Sequence, residues 1–299
     1  MRAIFVVGGV VAAVALCGAQ SYRADVDLVR IFVTVVDRAG QPVTGLSAKG
    51  FTVKEDGAAS PVVSFGEQRV PVSIVVALDS SLSMDGPRFK RASLAVQVLA
   101  EALRPNDELG AIGFYAVPFL IAPPSTDVRR VLDALPNVKP TVGGTALYGG
   151  VEMALDYAAE AHNDKRAVVV ISDGNDSVTK RDLLAIREQQ SINRIKHGDT
   201  LVYGIAINAR AENGRDPAAL FSPFALSRLA DPSGGWSQTV SVAAEIPDAA
   251  VNIRDALDHQ YLLGIEPKHR GDNKYHRLNV SVSTCKCQVR AREGYFAAR

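Results

Sequence analysis

Two hydrophobic rhythms alternate along this chain and divide it into three stretches. Over residues 26–66 apolar positions recur every second residue: Val29, Ile31, Val33 and Val35 share one face, as a half-buried strand requires. Ala39-Gly40-Gln41-Pro42 marks a turn. Phe51-Thr52-Val53-Lys54 is a second short strand, turned by Glu55-Asp56-Gly57, and a third begins at Pro61. From about residue 71 to 258 the rhythm changes. Ile74-Val75-Val76-Ala77-Leu78 and Ala167-Val168-Val169-Val170-Ile171 are unbroken apolar runs, the pattern of strands buried on both faces. Between such runs the apolar spacing is helical. Gly86-Pro87 opens a helix whose stripe holds Leu94, Ala95, Val98, Leu99, Ala102 and Leu103.

The same reading predicts strands at 109–115, 200–207 and 236–240, and helices at 127–135, 146–161 and 244–258, with Thr179 capping a further helix. Strands alternating with helices predict an α/β fold, a doubly wound, mostly parallel sheet covered on both faces. After His259 the period-two pattern returns in Tyr261-Leu262-Leu263-Gly264-Ile265, in Leu278, Val280 and Val282, and at 288–292. Each β flank offers about three strands, marginal for an independent core. We therefore expect 26–66 and 260–297 to pair into one small β-sandwich built from both chain ends, with the α/β unit inserted. The expected division is 1–19 signal peptide, 20–69 first part of the sandwich, 70–258 α/β domain and 259–299 second part of the sandwich.

The first residues sharpen this picture. Met1-Arg2, a short apolar stretch to Leu16, then Cys17 and Ala19 as small residues form the pattern of a secretory signal cleaved after Ala19. The stretch is short for a membrane span, so the mature chain is expected to lack one and to reach the periplasm, cell surface or medium. Cys17 also raises a lipoprotein reading, which Leu16 fits poorly. Lysine plus arginine (33) nearly balance aspartate plus glutamate (32), for a net charge of +1 without a basic block. Nucleic-acid binding therefore has no electrostatic support. Cys285 and Cys287 are too few to staple a fold. In an oxidising compartment they could pair, but on an extended strand their one-residue spacer strains disulfide geometry, so two neighbouring thiols on one strand face, without function, are the expected state.

The candidate chemistry lies at the ends of the two apolar runs. Asp79-Ser80-Ser81-Leu82-Ser83 follows the first, where open α/β sheets place their ligands. One carboxylate and two hydroxyls on alternate residues suit a small hard cation such as Mg²⁺; taken alone, the stretch also reads as a serine-rich turn capping the next helix. Thr145 sits in the glycine turn Val142-Gly143-Gly144-Thr145, and Asp173 ends the second run. The set Asp79, Ser81, Ser83, Thr145 and Asp173, in this order within an alternating β/α pattern, resembles the metal-ion-dependent adhesion site of von Willebrand factor type A domains. The resemblance implies a Rossmann-like fold and one divalent cation, Mg²⁺ or else Mn²⁺ or Ca²⁺. It implies that Ser81 and Ser83 contact the metal directly, Thr145 directly or through water, and Asp79 and Asp173 mostly through waters. It also implies a protein partner that presents an exposed acidic side chain. The segments Gln41-Pro42-Val43-Thr44-Gly45-Leu46, 51–57, 143–148, 261–264 and Arg290-Ala291-Arg292-Glu293-Gly294-Tyr295-Phe296 look like those of exported bacterial "VWFA-related domain" proteins described chiefly from acidobacteria, a group whose fold and metal site are better defined than its role.

Two other classes compete with a metal-dependent adhesion module. An enzyme would use Asp79 as a phosphoryl-accepting nucleophile with Mg²⁺, but Ser81 stands where a second carboxylate is wanted. His162, His197, His259, His269 and His276 show no metal-ligand spacing and read mostly as surface residues. Neither a Gly-x-Ser-x-Gly elbow nor a phosphate loop occurs, so the chain reads as non-enzymatic. A structural envelope protein that binds without metal is the other alternative. Asp176, just after Asp173, could tune the site, but Asn175-Asp176-Ser177 reads first as a turn and helix approach, and Trp236 reads as a core or rim aromatic.

Overall fold

The computed structural model describes residues 28–174, 176–208 and 223–297; the signal peptide expected over 1–19, with Cys17, lies outside them. The first strands are β1 (Val29–Val36), β2 (Phe51–Glu55), β3 (Ala58–Ser60) and β4 (Val62–Gly66). The α/β part runs through β5 (Val72–Asp79), α1 (Pro87–Glu101), β6 (Glu108–Phe114), β7 (Pro118–Ser125), α2 (Arg129–Ala134), α3 (Leu147–Glu160), β8 (Lys165–Ser172), α4 (Leu184–His197), β9 (Leu201–Ile207), α5 (Pro223–Ala230), β10 (Ser237–Val240) and α6 (Ile246–Asp258). Then come β11 (Tyr261–Ile265), β12 (Tyr275–Val282), β13 (Gln288–Arg290) and β14 (Gly294–Phe296).

The central sheet has the order β10-β9-β8-β5-β6-β7. Its pairs are parallel except β6 with β7. The unbroken apolar run of β5 serves two cores at once. Ile74, Val76 and Leu78 pack with Ala95 and Leu99 of α1 and Ile253 of α6. Val75 and Ala77 face the other way, onto Leu147, Val151 and Ala154 of α3. This two-sided burial is why no polar residue interrupts the run.

The sequence reading missed β7, whose Pro-Pro step disguises it. As the edge strand, β7 can lack amide donors there without breaking a ladder. Helix α5 was also missed, and Thr179 is not a cap: α4 starts at Leu184, with Leu183 at the cap position.

Each flanking sheet combines strands from both sides of the α/β part, in the orders β13-β1-β11-β4 and β14-β12-β2-β3. In the first, β1 pairs with β11 (Ile31 opposite Leu263); in the second, β2 pairs with β12 (Val53 opposite Val280). Ile31, Val33, Val35, Phe51, Val53, Tyr261 and Leu263 fill the space between the sheets, and the Phe51 and Tyr261 rings lie 5.0 Å apart. Cys285 and Cys287 are joined as a disulfide, their Cα atoms 5.3 Å apart. The expectation of two free thiols fails because these residues lie in a bend between β12 and β13 and not on an extended strand.

The sandwich packs against the amino edge of the central sheet. Arg30 pairs with Asp164, which precedes β8, and Arg292 donates to the Gly198 carbonyl, which precedes β9. Gln260 Nε2 donates to Thr34 Oγ1 (3.0 Å) and to the Tyr203 hydroxyl (3.2 Å). The two chain crossings are tied by one arginine: Arg69 forks onto Asp107 (3.0 and 2.5 Å) and reaches Asp258 through Nε (2.5 Å). Among the described residues, the carboxyl edge, at the other end of the sheet, is left clear of the sandwich.

Candidate metal centre at the carboxyl edge

The parallel pairing of β5 with β8 sets Leu78 opposite Ile171, so Asp79 and Ser172 come level at the strand ends. The Ser172 hydroxyl donates to Asp79 Oδ2 (2.6 Å), and the Ser81 amide donates to Asp79 Oδ1 (2.8 Å). The chain then enters a short 3₁₀ turn, Leu82–Met84, which returns Ser83 to Ser81: their hydroxyl oxygens are 3.0 Å apart. Asp79, Ser81, Thr145 and Asp173 are all buried, whereas Ser83 opens to solvent.

The glycine turn is fixed from both sides. The Thr141 amide donates to the Ser80 carbonyl at 2.8 Å. The Thr145 amide donates to Ser177 Oγ (2.9 Å), and the Ser177 amide donates back to the Thr145 carbonyl (2.9 Å). This loop-to-loop approach demands glycine at 144. Its φ is +99°, and a Cβ there would lie 2.9 Å from Ser177 Oγ and 3.0 Å from a Val178 methyl. Asp176 does more than turn the chain. Its carboxylate accepts from the Tyr148 amide (3.2 Å) and from the Thr179 amide (2.9 Å), tying the start of α3 to the loop after Asp173. Ser172 and Ser177 are site residues missed from sequence; Asp176 is named there but reads first as a turn. Ser172 carried a signal, a hydroxyl directly before Asp173 inside a buried run.

The electrostatics are those of an anionic pocket. Burial first, and then the neighbouring Asp173 charge, push the Asp79 carboxyl up to about 7, against the pull of its Ser172 and Ser81 hydrogen bonds. Among the described residues, Asp173 Oδ1 is buried without a hydrogen-bond partner. A buried carboxylate oxygen left unpaired is costly, and the two buried carboxylates Asp79 and Asp173, with the Ser81 and Ser83 hydroxyls next to Asp79, are hard oxygens of the kind a small divalent cation takes. The residues present therefore fit such an ion.

Around this pocket large apolar side chains face solvent: Leu82 (54% exposed), Val117 (53%), Val142 (68%) and Val178 (41%). All four belong to loops at the carboxyl edge, after β5, β6 and β8 and before Thr145.

Residues 74–175 match the family profile of the von Willebrand factor type A domain, a span that includes all five predicted site residues. The chain carries a von Willebrand factor type A domain. Domains of this type commonly mediate protein contacts and commonly bind a divalent metal. A UPF0353 protein of Mycolicibacterium paratuberculosis (strain ATCC BAA-968 / K-10) is 25% identical over 223 residues, 66% of each chain; the chain thus spans just under two thirds of that relative's length. Among solved structures, a von Willebrand factor type A protein from Catenulispora acidiphila superimposes over 92% of this chain and 74% of its own, with a TM-score of 0.53 at 13% identity. Proximal thread matrix protein 1 from the mussel byssus superimposes over 77% of this chain and 50% of its own, with a TM-score of 0.51 at 14% identity. At these identities the two structures speak for the fold alone.

Proposed function

We propose that this protein is an exported, non-enzymatic adhesion module that uses a divalent cation at the carboxyl edge to bind a protein partner. The observation that carries the reading is the buried Asp79–Asp173 pair, with its unpartnered Asp173 oxygen, set inside a ring of solvent-facing Leu82, Val117, Val142 and Val178. Asp79, Ser81, Ser83, Thr145 and Asp173 would hold one Mg²⁺, Mn²⁺ or Ca²⁺. When bound, the ion supplies an electrophilic position for a carboxylate of the partner. The chain's own residues supply the rest. Ser172 and the Ser81 amide orient Asp79, and Ser177 holds the buried Thr145 in place through its backbone. The apolar ring gives the partner surface to bury, as interface cores do. The charge and small-residue pattern of residues 1–19 supports the export part of this reading.

Affinity capture from native envelope extract tests this. The wild-type chain should retain a partner in Mg²⁺ and release it in chelator, and Thr145→Ala should retain much less in Mg²⁺. Equal retention under all three conditions would move recognition away from the metal, as for an envelope protein that binds without one.

A further inference from the structure

A second cluster of ligating side chains lies inside the β-sandwich, away from the site above. Register brings it together. Glu55 ends β2 opposite Leu278 of β12, and His276, also on β12, lies opposite Tyr295 of β14. Both Glu55 (1% exposed) and His276 (5% exposed) point inward. The loop between β11 and β12 folds back so that the His269 ring stacks on His276, with centroids 4.3 Å apart and planes within 6°. One ligand atom each from Glu55, His269 and His276 falls within 4.8 Å of the others. From sequence these histidines read as surface residues without ligand spacing; in the fold, His276 is buried, and the triad is assembled from two neighbouring strands of one sheet and the loop before β12.

The surroundings are those of a cation site. Glu55 is already oriented: Oε1 accepts from the Tyr295 hydroxyl (2.8 Å) and Oε2 from the Lys268 amide (3.1 Å). Each nitrogen of His276 faces a carboxylate. Nδ1 is 2.7 Å from Asp56, and Nε2 is 3.1 Å from both oxygens of Asp272. Three carboxylates thus surround two imidazoles, and among the described residues Glu55 has no lysine or arginine ion partner. A buried carboxylate needs compensating positive charge. A metal-bound imidazole characteristically keeps its other nitrogen on a carboxylate, which fixes the ring; here Asp56 would hold Nδ1 of His276 while Nε2, on the Asp272 side, gave up its proton, and the exposed His269 ring would turn out of its parallel stack to bring a nitrogen to the same ion. Two imidazoles and a carboxylate form a donor set for borderline first-row ions, Zn²⁺ foremost, and not for Mg²⁺.

We propose that Glu55, His269 and His276, with Asp272 beside them, form a transition-metal site of the Zn²⁺ class that fastens the β11–β12 loop onto the sandwich. The test is titration of the mature chain with ZnCl₂ by calorimetry and with Co²⁺ by visible absorption. Three proteins are compared: wild type, His269→Ala (an exposed position that should fold normally) and Asp79→Asn, which disables the carboxyl-edge site. The expected result is one Zn²⁺ per chain, unchanged in Asp79→Asn and weakened at least ~10-fold in His269→Ala. Cobalt d–d bands should be lost in His269→Ala. No Zn²⁺ uptake, or uptake that survives His269→Ala and vanishes in Asp79→Asn, would overturn the proposal.

Discussion

Asp79 shows how much one buried carboxylate can control. In the metal-free protein its carboxyl is raised from 3.8 to about 7. The folded state therefore holds this proton more tightly than the unfolded chain does. The sign follows: this group's contribution is most favourable below its unfolded pKa, and stability falls as pH rises from about 4 to about 7. Asp79→Asn preserves the shape and can keep both local hydrogen bonds, from Ser81 and with Ser172. It should raise the metal-free melting temperature at pH 8, with ~2–4 °C for each kcal/mol recovered, and flatten the loss between pH 4 and 7. Thermal melts across that range in chelator check this; a variant less stable than wild type at pH 8 would contradict it.

At the scale of elements, Lys165 at the start of β8 is the counterpart. It is buried beneath the sheet, where Nζ donates to the Leu257 carbonyl at the end of α6 (2.5 Å) and lies 5.3 Å from the Phe32 ring centre. Burial first, and then the nearby Arg69 charge, pull its pKa from 10.5 to about 7. Here the unfolded chain holds the proton more tightly, so stability should rise between pH 7 and 10. Lys165→Met should remove that rise, as denaturant titrations at the two ends of the range would show; an identical rise in the variant would refute the assignment. Elements of this kind were legible from sequence where burial dictated composition. The runs at Ile74 and Ala167 could only be two-sided strands, and the alternation from Val29 could only be one-sided. What escaped depended on position in the sheet. Pro123 and Pro124 hide β7 because only an edge strand tolerates them. Cys285 and Cys287 were misjudged because a bend replaced the expected strand. Four predicted site residues are buried with Ser83 at the rim of the same edge, but Ser177 and Asp176 act through loop contacts that no periodicity records. The triad of Glu55, His269 and His276 was invisible for the same reason: its members meet only when strands from the two flanks pair.

At the scale of the whole molecule, the sandwich and the site occupy opposite edges of one sheet. The binding proposed at the carboxyl edge would therefore leave the sandwich undisturbed. The strand orders make each flank incomplete alone, since β1 lies between β13 and β11 and β2 between β12 and β3. Arg69 belongs with the α/β part, because its partners Asp107 and Asp258 both lie there. A polypeptide of residues 68–258, which keeps Arg69, should fold cooperatively by itself, while 20–69 alone should not. A well-dispersed NMR spectrum from residues 20–69 would count against the split sandwich.

The central claim, one hard divalent cation held at the carboxyl edge, is tested most directly by calorimetric titration of Mg²⁺ into the mature protein and into Asp79→Asn. The account predicts uptake of a single ion by the wild type and none by the variant, with the variant still folded by circular dichroism. Equal Mg²⁺ uptake by both proteins, or none by the wild type, would contradict it.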